Sequence, residues 1–247
     1  MWYLGGKHRQ AKAIAAAVRE YHPSFEVYVE PFCGALSSAC AIIRAFPVGR
    51  TYILNDANTH LITFWQAALD GWDPPATIDE VTYRWYRDNR PADDPMTAYV
   101  GFAWSFGGKL FGGLARSATR QDKRGANGQN FGSYAGTMRK IVTLRLVKDS
   151  VIFTCGDYAS VPVPDGAMVY LDPPYEGRTK QASHMEAIDV AAYVGYASSL
   201  SSRCVVMASQ FGERPEWVTV HNWGDTVVRH RGSKGRDGTY ETLQLVT

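Results

Sequence analysis

The chain has 247 residues, 45% of them apolar, 20% charged and 13% aromatic, with a formal charge of +2. Mean hydropathy is −0.24. So many aromatics exclude a wholly disordered chain, and the longest apolar stretches, AIAAAV (13–18) and CVVMAS (204–209), fall far short of the about 20 residues a membrane helix needs. The opening Met1-Trp2-Tyr3-Leu4 leads into Gly-Gly-Lys without a long apolar run, so no signal peptide is expected and the protein reads as cytoplasmic. Cys33, Cys40, Cys155 and Cys204 form no C-x-x-C pair and no zinc-finger spacing with histidine. They read as free thiols in a reducing compartment.

In chain order, residues 7–20 form a helical pattern with Ile14 and Val18 one turn apart, and EVYVE (26–30) is a short strand. The turn Pro31-Phe32-Cys33-Gly34 precedes a helix over 35–46. A strand follows at 51–56 and a helix at 57–70. Strand, helix, strand in this order begin a parallel α/β sheet. Residues 71–100 are acidic, proline-punctuated and helical in pieces. Residues 101–136 carry nine glycines and predict a structureless stretch, functional or mobile. Helical periodicity returns over 134–147. Strands follow at 151–155 and at AMVYL (167–171), the latter apolar throughout, as befits a sheet centre covered on both faces. A helix near 186–200 leads to a strand at 204–208. Short strands near 217–221, 226–229 and 240–246 close the pattern, the last two reading as a hairpin around RHRGSKGRDG (229–238).

Charge is segregated along the chain. Residues 101–150 hold nine Lys/Arg against two acids, whereas 66–100 hold three against seven. Such a stretch faces a polyanion or is simply a solvated basic surface; charge alone leaves both readings open. The expected organisation is a catalytic domain formed by 1–65 and 149–247, with an insertion over 66–148.

Asp172-Pro173-Pro174-Tyr175 directly follows the apolar strand AMVYL. Ligands of open parallel sheets bind beyond the carboxyl ends of the strands. The two prolines stiffen the backbone and remove two N–H donors while their carbonyls still accept. With the Asp172 carboxylate and the flat Tyr175 ring, this set suits a planar amine with two N–H bonds to donate, such as the exocyclic amine of a nucleobase.

DPPY resembles the catalytic motif of amino methyltransferases that use S-adenosylmethionine. YLGGK (3–7), VEPFCGALS (29–37), LND (54–56) and FTCGDY (153–158) resemble, in type and order, the segments of Dam-like DNA adenine-N6 methyltransferases of the D12 class and α-type arrangement. FGGLARSATRQDKRGANGQNFGSYAG (111–136) resembles that family's DNA-recognition region. The resemblance implies a Rossmann-like, S-adenosylmethionine-dependent α/β fold, mostly parallel, with a C-terminal β-hairpin and a small inserted target-recognition domain. Tyr3, Lys7, Glu30, Phe32, Gly34, Asp56, Asp157, Tyr158 and Asp172 are implied as cofactor contacts. Among them Asp56 takes the ribose hydroxyls, Lys7 the methionine carboxylate, and Phe32 and Tyr158 sandwich the cofactor's adenine. Leu36 departs from the commoner F-x-G-x-G pattern, standing where a second glycine is usual.

The implied reaction is methyl transfer to the N6 amine of an adenine flipped out of duplex DNA. Asp172 and Pro173 accept the amine hydrogens, Pro174 stiffens the turn, and Tyr175 stacks on the base. Lys109, Arg116, Arg120, Lys123, Arg124, Asn127 and Asn130 are expected on the DNA, arginines suiting guanine and asparagines adenine. No metal, membrane or obligatory protein partner is expected. A restriction nuclease, if the protein serves restriction–modification, would be a separate protein. RNA adenine methylation and an inactive DNA-binding relative are the alternatives. Protein-glutamine methylation is disfavoured, because that family places Asn where Asp172 stands.

Overall fold

The computed structural model describes residues 1, 3, 5–115, 131–174, 188–211, 214–223 and 241–247. The backbone runs α1 (Ala11–Tyr21), β1 (Val27–Glu30), α2 (Ser37–Ala45), β2 (Thr51–Asp56), α3 (Thr59–Leu69), α4 (Glu80–Asn89), α5 (Pro95–Ala98), α6 (Phe131–Arg145), β3 (Val151–Cys155), β4 (Met168–Leu171), α7 (Val190–Ser201), β5 (Val205–Phe211), β6 (Val218–Asn222) and β7 (Glu241–Leu245). The strands form one sheet in the order β3-β2-β1-β4-β5-β7-β6. The first five are parallel, and β7 runs antiparallel to both neighbours. This is the expected mixed α/β, mostly parallel architecture.

Alternation along the central strands divides the interior into two cores. Tyr28, Tyr52, Leu54, Met168, Tyr170 and Met207 point into the larger core, with Ile14 and Val18 of α1, Ile42 of α2 and Trp65 of α3. Val29, Ile53, Val169, Leu171, Val206 and Ala208 point the other way, onto Tyr193, Ala197 and Leu200 of α7. All four residues of β4 are fully buried, as its unbroken apolar run predicts. The register sets Val29 beside both Ile53 and Val169. The ends of β1, β2 and β4 therefore lie side by side, at the point where strand order reverses.

The described part of the acidic and glycine-rich region is more ordered than its composition suggests. Residues Tyr99–Ala103 form a π turn whose five residues are all buried. A tight hairpin follows, closed by a Ser105–Leu114 bridge and by Phe106 N–H donating to Gly113 O at 2.8 Å. The structureless reading therefore fails over 101–115. Tyr83 of α4 pins this hairpin, its hydroxyl 2.8 Å from Ser105 Oγ. Tyr99, Phe102, Ile141 and Leu144 share the larger core with the sheet. Among the described residues β7 pairs with β5 and with β6, Leu243 opposite His221 in the latter pair, and not with the 226–229 strand expected as its hairpin partner. The strand expected at 226–229 lies outside the described residues. Among the described residues, no helix is long and apolar enough to cross a membrane.

Candidate active site

The carboxyl ends of β1, β2 and β4 each carry an acid: Glu30, Asp56 and Asp172. The first turn is built for close approach. Gly34 adopts φ +45°, and a Cβ there would come 3.1 Å from the Tyr3 ring. Leu36 holds the left-handed conformation (φ 58°, ψ 34°) that glycine adopts freely. The backbone geometry of the glycine pattern is thus kept without the second glycine. Trp65 Nε1 donates to Gly34 O at 3.0 Å and fixes the turn from below.

Asp56 locks β2 to this turn. Its Oδ2 accepts from Gly34 N at 2.9 Å, and its Oδ1 accepts from Asn58 N at 2.9 Å. Burial raises its pKa, and the two backbone donors pull the other way. Its neighbour Asn55 was not among the expected site residues. The Asn55 amide donates to Pro31 O (3.0 Å) and Gly156 O (2.9 Å), while its oxygen accepts from Thr154 Oγ1. One side chain therefore ties together the ends of β1, β2 and β3. The LND segment placed it at a strand end, but its contacts to residues 31, 154 and 156 carry no local signature.

Glu30 is fully enclosed, accepting from Tyr28 Oη at 2.7 Å and from Ser38 Oγ. Burial pushes its carboxyl up to about 8 despite these bonds, with Asp172 and Asp56 adding to the rise. Asp172 and Asp56 thus lie close enough to Glu30 to disfavour its ionised form. Tyr3 sits among them: burial raises its hydroxyl, with further pushes from Asp56, Cys33 and Asp172. Lys140 of α6 reaches the turn from the other side, donating to Ala35 O at 2.5 Å and Ser37 Oγ at 3.0 Å. Burial lowers its ammonium to about 8.

The Lys7 ammonium, which the resemblance implies for a cofactor carboxylate, is engaged by carboxylates of the protein. It lies 2.7 Å from Asp172 Oδ1 and 3.0 Å from Glu241 Oε1. Gln10 Nε2 donates to Glu241 Oε2 at 2.9 Å. Burial alone would lower the Lys7 pKa, but Asp172 and Glu241 outweigh it and the net direction is upward. Glu241 is a second residue that sequence reading missed, because it follows a basic glycine-rich loop more than two hundred residues from its partner.

The two aromatic residues expected on the cofactor lie side by side. The Phe32 and Tyr158 rings lie 5.1 Å apart at 31°. A base stacked between two rings needs about 7 Å, two van der Waals spacings. In this state they form one wall, continued by Tyr193 and Tyr196 of α7. Among the described residues, the Tyr193 hydroxyl is buried without a hydrogen-bond partner, and it feels the Asp172 charge. It too was absent from the sequence reading. Asp157 accepts from Ala159 N at 2.7 Å, capping a short turn next to Tyr158.

Pro173 is buried and Pro174 half-buried beside Asp172. Lys109 sits half-buried at the hairpin that leads toward the expected DNA-recognition stretch. Tyr175, Arg116, Arg120, Lys123, Arg124, Asn127 and Asn130 lie outside the described residues.

A parallel sheet with acids at its switch point and Asp-Pro-Pro at the end of β4 is the architecture expected of a Rossmann-like methyltransferase. A sequence model of that class of enzyme, described as D12 class N6 adenine-specific DNA methyltransferase, matches residues 3–94. The Dam-like D12 resemblance is thereby borne out over YLGGK, the Gly34 turn and LND; the matched span ends before Asp172. No curated protein matches. Solved structures similar to the chain include a putative methyltransferase, yhhF, from Escherichia coli, at 8% identity and TM-score 0.39, covering 95% of this chain and 84% of that one. The mitomycin 7-O-methyltransferase MmcR is similar at 12% identity and TM-score 0.39, over 98% of this chain; the chain spans 54% of that protein's length.

Proposed function

We propose that the protein transfers a methyl group from S-adenosylmethionine to the exocyclic N6 of an adenine flipped out of duplex DNA, with 66–148 as the inserted target-recognition region. The observation that carries the reading is the convergence of Glu30, Asp56 and Asp172 around the Gly34 turn, with Asp172 opening Asp-Pro-Pro-Tyr at the end of a fully buried strand. The donor set fits the cofactor. S-adenosylmethionine supplies, when bound, an electrophilic methyl on a positively charged sulfur, and a carboxylate such as Asp172 beside it would favour that cation. Asp56, held by two backbone amides, is the acceptor for the ribose hydroxyls in this reading, and the Phe32–Tyr158 wall offers an apolar face to a purine.

The residues at β4 act on the target. The Asp172 carboxylate and the Pro173 carbonyl accept the two N6 hydrogens, which localises on nitrogen the lone pair that the ring otherwise delocalises. The stiff Pro173-Pro174 backbone holds both acceptors in place, so that positioning supplies much of the rate. Tyr175 stacks on the base. In the transfer the methyl's carbon–sulfur bond would break, its electron pair staying on sulfur, as the N–C bond forms, and one N6 proton then departs through Asp172 or to water.

The test is labelled S-adenosylmethionine with duplex DNA and, in parallel, duplex RNA, followed by nucleoside analysis. The expected product is N6-methyladenine in DNA. Asp172→Asn is expected to lower the rate about 10³-fold, within the range for a lost acid–base group, while the protein still melts cooperatively. Label in RNA, in a pyrimidine or in protein, or an Asp172→Asn enzyme of wild-type rate, overturns the reading.

A further inference from the structure

The Lys7 pair with Asp172 does not stand alone, and the partner behind it comes from the far end of the chain. We propose that Glu241, steadied by Gln10, is a positioning residue that holds the Lys7 ammonium on Asp172 and so fixes the orientation of that carboxylate; the proposal rests on the methyl-transfer reading above.

Two buried charged groups meet a third that is mostly enclosed here. Lys7 is 5% exposed and Glu241 5%, and the Asp172 side chain is 14% exposed. Removing ions from water costs several kcal/mol each, and buried ion pairs often add nothing to stability over apolar replacements. A stability role is therefore a poor account of a cation between two acids. Orientation is a better one. The chain Gln10 Nε2 to Glu241 Oε2, then Glu241 Oε1 to Lys7 Nζ, then Lys7 to Asp172 Oδ1, has links of 2.9, 3.0 and 2.7 Å. Lys7 alone is a flexible stem. A second anion on its other side restricts the ammonium to one place, and that grip on Oδ1 sets the plane of the Asp172 carboxylate and the direction of its lone pairs.

Backbone pairing supports this. Glu241 lies in register with Phe211 at the end of β5, so the sheet itself delivers its carboxylate to the edge where Asp172 leaves β4. The antiparallel β7 thereby supplies a charge to a site otherwise built from parallel strands. Among the described residues, the trio brings one basic and two acidic side chains together.

Asp172 is faced by Tyr3 and Lys7 from the N-terminal segment, Glu30 from β1, Tyr170 from β4 and Tyr193 from α7, with Glu241 behind Lys7 on β7. Lys7 is the cation in direct contact with it among the described residues. Glu241→Gln removes a nearby negative charge and leaves Lys7 to Asp172, so the acid limb of the pH–rate profile moves to lower pH. Lys7→Met does the reverse and moves it to higher pH.

The experiment measures single-turnover methyl transfer to duplex DNA by the full-length protein, with cofactor affinity read separately. Glu241→Gln is expected to slow transfer about tenfold, with cofactor affinity within about twofold of wild type. Because Glu241 acts through Lys7, Glu241→Gln should add little once Lys7→Met is present. Gln10→Leu removes the amide donor to the outer oxygen of Glu241 and is expected to slow transfer about threefold; it decides the matter should Glu241→Gln fail to fold. Wild-type rate and an unmoved acid limb in the folded variants, or losses that multiply in the double variant, overturn the proposal while the methyl-transfer reading stands. A wild-type protein that methylates no nucleic acid overturns both.

Discussion

Leu36 shows how a departure from a sequence pattern can leave the backbone intact. Left-handed geometry costs a residue with a Cβ about 1–2 kcal/mol. Leu36 bears that cost while fully buried in the larger core. Truncating a buried leucine to alanine costs about 2–5 kcal/mol. Leu36→Ala therefore loses the packing and keeps the strain, whereas Leu36→Gly loses the packing and relieves the strain. The glycine variant is expected to be more stable than the alanine variant by about 1 kcal/mol, the reverse of their order in a regular helix. Urea unfolding midpoints of the two variants check this; an alanine variant at least as stable would mean the turn carries no strain. Legibility at this scale followed locality. Gly34, Asp56 and Asp172 lie in short segments whose neighbours define them. Glu241, Asn55 and Tyr193 matter through partners far away in sequence, and nothing adjacent to them announces those partners.

Among the elements, helices and strands with a clean period were read to within a few residues, and β2 and β3 to the residue. The acidic stretch before the basic one has a structural use that charge counting did not separate from surface polarity. Asp79 caps α4 through Thr82 N, and Asp94 caps α5 through Met96 N at 2.8 Å, with Pro95 at the first helical position. Asp94 also accepts from Tyr86 Oη at 2.6 Å, joining α4 to α5. Burial raises the Tyr86 hydroxyl to about 12, and Asp94 adds to the shift. Losing an N-cap costs about 1 kcal/mol, and losing the tyrosine bond about another 1 kcal/mol. Asp94→Ala is expected to destabilise the protein by about 2 kcal/mol, and Asp94→Asn, which keeps a cap acceptor, by about half that. Denaturant titration distinguishes them; equal losses would assign the effect to charge rather than capping. The hairpin over 105–114 escaped sequence reading because glycine and aromatic residues there serve close packing. A Cβ on Gly101 would fall 2.5 Å from Leu110, and Arg90 stacks over Phe111 at 5.1 Å.

Across the whole molecule, the order β3-β2-β1-β4-β5-β7-β6 places the proposed cofactor residues on β1, β2 and the N-terminal segment, and the proposed target residues on β4. The DNA-facing candidates fall instead on 109–130, at the end of the hairpin and beyond it. The two functions therefore rest on different parts of the chain, even though α6 and the π turn share the sheet's main core. This separation has a thermodynamic signature. A ligand at one hundred times its dissociation constant adds about 2.7 kcal/mol to stability. For a chain of this size each kcal/mol moves the melting midpoint by about 2–4 °C, so S-adenosylmethionine is expected to raise it by about 5–10 °C. The double substitution Arg120→Ala and Lys123→Ala should leave that rise intact. It should weaken duplex binding and lower the slope of log affinity against log salt by about 2, close to one unit per lost phosphate contact. Thermal melts with cofactor and binding isotherms at several salt concentrations measure both effects on one preparation. A variant that loses the thermal shift would place Arg120 and Lys123 in the cofactor half. An unchanged salt slope would remove them from the DNA surface and return the basic stretch to a solvated face.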